Sequence, residues 1–162
     1  MASSTIILEM LQDRKYQNIT VESELEIYAD GVYVSFNEED SVSVDTIKRF
    51  ISKLIEKKIN HGIFVYPGTI TSSAKKAVSV VDNYIELFHL DTLKFNPTRH
   101  RLVPRHQLVD EKTAHVIKKK YGKDLPRLLT TDAISRYYDF REGSIIEITR
   151  TNGIVAYRLV VQ

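Results

Sequence analysis

The chemistry this chain could do begins in one short loop. Residues 67–75 read Pro67-Gly68-Thr69-Ile70-Thr71-Ser72-Ser73-Ala74-Lys75, small and rich in hydroxyls, and they feed the start of a helix. The first amides of a helix lack intrahelical acceptors and carry the positive end of its dipole, so such a start favours an anion. Lys75 and Lys76 stand in the first turn. Cations at a helix start oppose its dipole, and an anionic partner such as a phosphate relieves that conflict. The plainer alternative is a capped helix with both lysines in water. Thr71, Ser72, Ser73, Lys75 and Lys76 are the anion-site candidates.

Other constellations are weaker. Glu22, Glu24 and Glu26 alternate as if on one strand face. A nuclease needs such carboxylates with a lysine around a divalent ion, but no Glu-x-Lys follows on a strand, and Glu56-x-Lys58 reads as a solvated helix face. The five histidines include no pair at i, i+4 with a glutamate between, and there is no cysteine, which excludes disulfides and thiolate metal sites. There is no Gly-x-Ser-x-Gly elbow and no Gly-rich phosphate loop. No metal and no cofactor are expected, and a Ser-His-Asp triad, which spacing alone does not settle, stays open. Arg99-His100-Arg101, Arg105-His106 and Lys118-Lys119-Lys120 could track a phosphate backbone. They lack interleaved aromatic platforms, and the lysine run reads somewhat better as a solvated face.

The elements that must carry these residues follow from periodicity. Ile7, Met10 and Leu11 mark a first helix, with Ser3 or Ser4 as its cap. Alternation on both sides of Asp30-Gly31 predicts paired strands over 21–28 and 32–37. Ile47, Phe50, Ile51, Leu54 and Ile55 form a helical stripe behind a Ser43 or Asp45 cap. Residues 62–66 are a short apolar run suited to a buried strand. Ser72-Ser73 opens a helix whose buried side runs Ala74, Ala77, Val78, Val81, Tyr84, Ile85 and Phe88, before a strand at 93–95. The order β-β-α-β-α-β is that of an α/β or α+β sheet domain. Residues 96–105, with Pro97 and Pro104, make a boundary. Beyond it come a helix from Asp110 to Tyr121 ended by Gly122, an extended Leu125-Pro126-Arg127, a short helix after Thr131 or Asp132, and a hairpin about Asn152-Gly153. In that hairpin, Tyr157, Leu159 and Val161 fall on one face as an apolar platform, and Arg136, Arg150 and Arg158 can pair with carboxylates, of a partner or of the same domain.

Composition bounds the class. Over 162 residues, 43% hydrophobic and 27% charged is ordinary for a globular protein. No apolar run nears the ~20 residues a membrane helix needs, and the first residues carry no basic leader, so a soluble intracellular protein is expected. The net charge of +2 hides a step: residues 1–97 hold ten Lys/Arg against fourteen Asp/Glu, net −4, and residues 98–162 hold thirteen against seven, net +6. Two differently employed halves are implied.

The second half resembles a known family. His100-x-Leu102-Val103-Pro104-x-His106, Leu125-Pro126-Arg127, Asp132-x-x-x-Arg136-Tyr137, Gly143, Arg150 and Tyr157-Arg158-Leu159-Val160 are similar to the assembly domain of subunit 5 of eukaryotic-type DNA-directed RNA polymerases, a domain that archaeal RNA polymerases share. Thr46-Ile47-Lys48 and Thr71-Ser72-Ser73-Ala74-Lys75 resemble the N-terminal jaw domain of the eukaryotic members. Departures are Ala133 where the family has Pro, Asp139 for Gly, Thr151-Asn152 for Pro-Ser, Ser72 for a loop Pro, and a shorter final turn. The resemblance implies a nuclease-like mixed sheet with flanking helices over 1–97, without a nuclease site, and a small α+β assembly domain over 98–162 ending in a β-hairpin. It implies a non-catalytic polymerase subunit whose second domain docks on the largest subunit and whose jaw lies beside downstream duplex DNA, touched through Thr71 to Lys76. The implied interface residues are His106, Pro126, Arg127, Arg136, Tyr137, Arg150, Tyr157 and Arg158. Neither membrane nor self-association is implied. The first domain is shortened, as in a copy encoded by a large DNA virus. The place of work is then a viral factory or virion, or the nucleus for a cellular protein. The rival readings are a free-standing DNA-binding protein and a nuclease-fold enzyme.

Overall fold

A computed structural model describes residues 2–162. The chain forms two compact units, Met1–Phe95 and Asn96–Gln162.

The first unit contains α1 (Ala2–Asp13), β1 (Thr20–Ser23), β2 (Glu26–Ala29), β3 (Val32–Phe36), β4 (Ser41–Val42), α2 (Val44–Glu56), β5 (His61–Tyr66), β6 (Thr69–Ile70), α3 (Ser72–Ser79) and β7 (Tyr84–His89). Its main sheet runs β1-β2-β3-β5-β7, antiparallel among the first three strands and parallel from β3 to β7. Parallel neighbours need crossovers, and α2 and α3 supply them. β5 is buried almost throughout, as a central strand covered on both faces must be. On one face Tyr33, Phe50, Leu54, Phe64 and Ala74 pack with α2 and α3. Ser43 caps α2 by accepting from the Thr46 amide at 3.2 Å. Gly62 sits where α2 crosses β5: a Cβ there would lie 2.7 Å from Phe50 and 2.8 Å from Leu54.

Five local readings change. Ser3 and Ser4 lie inside α1 instead of capping it. The strand expected over 21–28 is two strands, because Glu24-Leu25 turns and Ser23 Oγ accepts from the Leu25 amide at 3.2 Å. Ile55 is 64% exposed and leaves the α2 stripe. The helix begun at Ser72 stops at Ser79, and Tyr84–His89 is a strand. Val81, Ile85 and Phe88 fit helical spacing, but a full parallel ladder to β5, from His61↔Tyr84 to Tyr66↔His89, takes up the backbone of this segment. Residues 90–93 then form a 3₁₀ turn in place of the strand expected at 93–95.

The second unit contains β8 (Arg105–Leu108), α4 (Glu111–Tyr121), β9 (Arg127–Leu129), α5 (Ala133–Tyr138), β10 (Ile145–Thr149) and β11 (Val155–Val161). Its sheet runs β8-β10-β11-β9, with β9 parallel to β11. α4 and α5 cover opposite faces. Ile117 of α4 packs with Leu125, Ile145, Tyr157 and Leu159, whereas Ile134 of α5 packs with Leu128, Ile146, Ile148 and Val160. Asp110 and Asp132 cap the two helices. β8 is a strand that apolar alternation did not announce, since it reads Arg-His-Gln-Leu. Both units are α+β. Among the described residues no helix is long and apolar enough to cross a membrane.

Candidate functional site

The loop at 67–76 is built from backbone contacts. The β4–β6 pairing sets Ser41 against Thr69 and Val42 against Ile70. The Thr69 amide donates to the Asp40 carbonyl at 2.8 Å and the Thr71 amide to the Val42 carbonyl at 3.2 Å. Gly68 is required by this approach, because a Cβ would fall 2.0 Å from the Asp40 carbonyl oxygen. Thr71 Oγ1 then caps α3 by accepting from the Ala74 amide at 3.2 Å, and Ala74 is wholly buried beneath the loop.

Thr71, Ser72, Ser73, Lys75 and Lys76 are all exposed on this one loop and helix start. Lys76 falls in the last turn of the short α3, not in the first. There its charge suits the helix dipole, so the conflict argued from two first-turn lysines shrinks to Lys75. An exposed run of hydroxyls, amides and one or two lysines can touch phosphate oxygens and does not read bases.

The three glutamates do not form a site. Glu22 is on β1, Glu24 is in the turn, and Glu26 is on β2. Glu26 is engaged by Lys53 of α2, and Tyr33 Oη donates to it at 2.6 Å. The Lys53 hydrogen bond, then that of Tyr33, holds its carboxyl below the usual range. Burial pushes the neighbouring Tyr28 phenol up to about 12. Beside these groups a groove of about 480 Å³ lies between α2 and the β2–β3 side of the sheet, lined by Tyr33, Phe50, Glu26, Arg49 and Lys53. Of the three glutamates weighed above only Glu26 lines it, and none of the anion-loop or interface candidates does.

A buried ion network occupies the other face of the first unit, and residue typing gave no sign of it. Arg14 grips Glu86 with both guanidinium nitrogens, at 2.6 and 2.9 Å. His61 Nε2 lies 2.8 Å from Glu86 Oε1, and its Nδ1 lies 2.8 Å from Tyr16 Oη. A carboxylate only accepts, so Nε2 carries the proton. The signal available beforehand was a glutamate at an inward position of a strand, and it was hidden while 84–89 read as helix.

In the second unit, strand register sorts the candidates by face. His106 pairs with Ile148 and Arg158 with Ile146, so both belong to the α5 side of the sheet. Arg136, on α5, is half-buried. His106 Nδ1 donates to the Pro104 carbonyl at 2.8 Å, and Arg158 Nη1 to the Arg127 carbonyl at 3.4 Å. Pro126, Arg127 and Arg150 are exposed. Tyr137 is 3% exposed, and its hydroxyl accepts from Asn96 Nδ2 at 2.9 Å. It therefore supports the unit from within and offers no ring to a partner. Tyr157 pairs with Glu147 and faces α4, where Tyr157 and Leu159 pack against Ile117, Leu125 and Ile145. The expected apolar platform is thus largely covered by the unit's own helix. Burial, helped by the Glu147 charge, raises the Tyr157 phenol.

Comparison with known proteins bears on both units. Residues 95–160 match the family described as RNA polymerase Rpb5, C-terminal domain. DNA-directed RNA polymerase subunit 5-like protein 1 of Arabidopsis thaliana is 34% identical over 76% of this chain, and the chain spans 62% of that relative's length. The DNA-directed RNA polymerases I, II, and III subunit rpabc1 of Dictyostelium discoideum is 29% identical over 96% of the chain and 93% of the relative. Its namesake in Caenorhabditis briggsae is 32% identical over 82% of the chain and 67% of the relative.

Proposed function

The chain belongs to the RNA polymerase subunit 5 family, and we infer from this that it is a non-catalytic subunit of a multisubunit DNA-directed RNA polymerase. The observation that carries the reading is the family match over 95–160, which spans nearly all of a unit that is compact by itself. In this reading residues 98–162 are the assembly domain and dock on the largest subunit. The α5 side, with His106, Arg136 and Arg158, and the exposed Pro126, Arg127 and Arg150 supply the contact. Guanidinium groups suit such a surface because they pair with carboxylates through two parallel hydrogen bonds. Residues 1–97 are the jaw and lie beside incoming duplex DNA. Thr71, Ser72, Ser73 and Lys75, with Lys76 behind them, touch its backbone. In a cell the place of work is the nucleus, and a virus-encoded copy works in a viral factory or virion.

The test is affinity purification of the tagged chain from its native source, washed at high salt, with retained proteins identified by mass spectrometry. The two largest polymerase subunits should be retained in near-equal amounts. Recovery of the chain alone, or only with DNA that the wash removes, would overturn the reading in favour of a free-standing DNA-binding protein. Metal-dependent cleavage of DNA by the purified chain would overturn it in favour of an enzyme.

A further inference from the structure

A second surface of the C-terminal unit has no part in the reading above. α4 turns Ile117 and Ala114 towards the sheet. A helix turns about 100° per residue, so its opposite side carries Lys112, Val116 and Lys119, with His115 and Lys120 flanking them. All five are exposed, and Val116 is 62% exposed. None of the α4 lysines has an ion-pair partner among the carboxylates of the described residues. Lys118 is turned aside to donate to the Gly143 carbonyl, and Lys120 lies 5.1 Å over the Tyr121 ring. The last-turn lysines complement the helix dipole, but Lys112 is in the first turn, where it opposes it. A stripe placed only to stabilise the helix would not put a cation there, nor an aliphatic side chain between cations.

We propose that the outer face of α4 is a docking site for an acidic protein segment that carries an apolar side chain between its carboxylates. Lys112 and Lys119, two turns apart, pair with the carboxylates. Val116 between them receives the apolar anchor, and Lys120 widens the positive field. Charge complementarity selects the partner: residues 98–162 carry thirteen Lys/Arg against seven Asp/Glu. The apolar centre favours a peptide over a phosphate backbone, which has nothing to place on Val116. The face is separate from the α5 side, because α4 and α5 lie on opposite faces of the sheet.

The full chain is titrated with a fluorescein-labelled peptide of alternating Glu and Leu, with the same peptide bearing Ser for Leu, and with a DNA oligonucleotide of equal charge, read by anisotropy. The Leu peptide should bind saturably, more weakly as salt rises, and more tightly than either control. Lys112→Glu with Lys119→Glu should weaken it about tenfold, as expected for replacing two exposed attractions by repulsions, while Lys48→Glu on α2 leaves it unchanged. Val116→Ser should bring the Leu peptide down to its Ser control. Circular dichroism confirms that each variant is folded. No saturable binding, equal binding of the Leu and Ser peptides, or tighter binding of DNA would overturn the proposal.

Discussion

Glu86 shows what a single carboxylate does in this fold. Its side chain is 8% exposed and that of Arg14 is 4% exposed, so the pair is desolvated and holds the end of α1 to β7. Burial alone would raise the Glu86 carboxyl, but the hydrogen bonds from His61 and Arg14 outweigh it and hold it below its ordinary 4.5. A carboxyl lowered by folding contributes stability that is present above its unfolded value and lost as pH falls through the folded one. The urea midpoint of the full chain should accordingly drop as pH is taken below about 4.5, with Glu86 among the causes. Glu86→Ala should cost about 3 kcal/mol near neutral pH, the usual scale for breaking a buried ion pair, and should flatten the midpoint's fall in acid. An Ala variant with the parent's acid profile would show that other carboxylates set it. The anion-loop residues behave oppositely. The candidate loop Thr71 to Lys76 could be named in advance because its hydroxyls and lysines are neighbours in sequence beside a helix start. The Arg14–Glu86–His61 network could not, because its members lie far apart in sequence: β5–β7 pairing brings His61 and Glu86 together, and Arg14 joins them from the end of α1.

At the scale of elements, what was read correctly was local and periodic. The α2 stripe, the Asp30-Gly31 and Asn152-Gly153 hairpins and the Asp110 and Asp132 caps depend on neighbours within a few residues. The two misread strands of the sheets are decided at long range. β7 has helical spacing but is fixed by β5, and β8 has no apolar alternation but borrows its order from β10. One close element contact follows from a missing side chain. α2 lies so near β5 at Gly62 that a methyl group would meet Phe50 at 2.7 Å and Leu54 at 2.8 Å, both buried core side chains. Gly62→Ala should therefore destabilise the first unit by about 1–3 kcal/mol, the usual cost of overpacking, read as a lowered urea midpoint with the slope unchanged. Pairing it with Phe50→Leu, which opens space beside Gly62, should return part of that loss. No recovery would locate the strain in the backbone.

For the whole molecule, the charge step lies between residues 1–97, net −4, and 98–162, net +6, and the tasks proposed for the two halves can be divided by one experiment. If the second unit assembles and the first touches DNA, substitutions in the two should fail differently in the same assay. Arg127→Glu with Arg150→Glu alters exposed side chains of the second unit. Placed against partner carboxylates, these charges become repulsive, so the variant should no longer retain the large polymerase subunits through a high-salt wash. Lys75→Glu with Lys76→Glu alters exposed side chains of α3 and leaves the Thr71 cap and buried Ala74 in place. That variant should assemble as the parent does. Its polymerase should hold duplex DNA less tightly, and the slope of log affinity against log salt should fall by about two, since each lost phosphate contact removes about one from the slope. Loss of assembly in the lysine variant would place α3 at a subunit contact. An unchanged salt slope would remove the loop from the DNA path and leave the first unit's role to its other faces, the groove beside Tyr33 and Lys53 first among them.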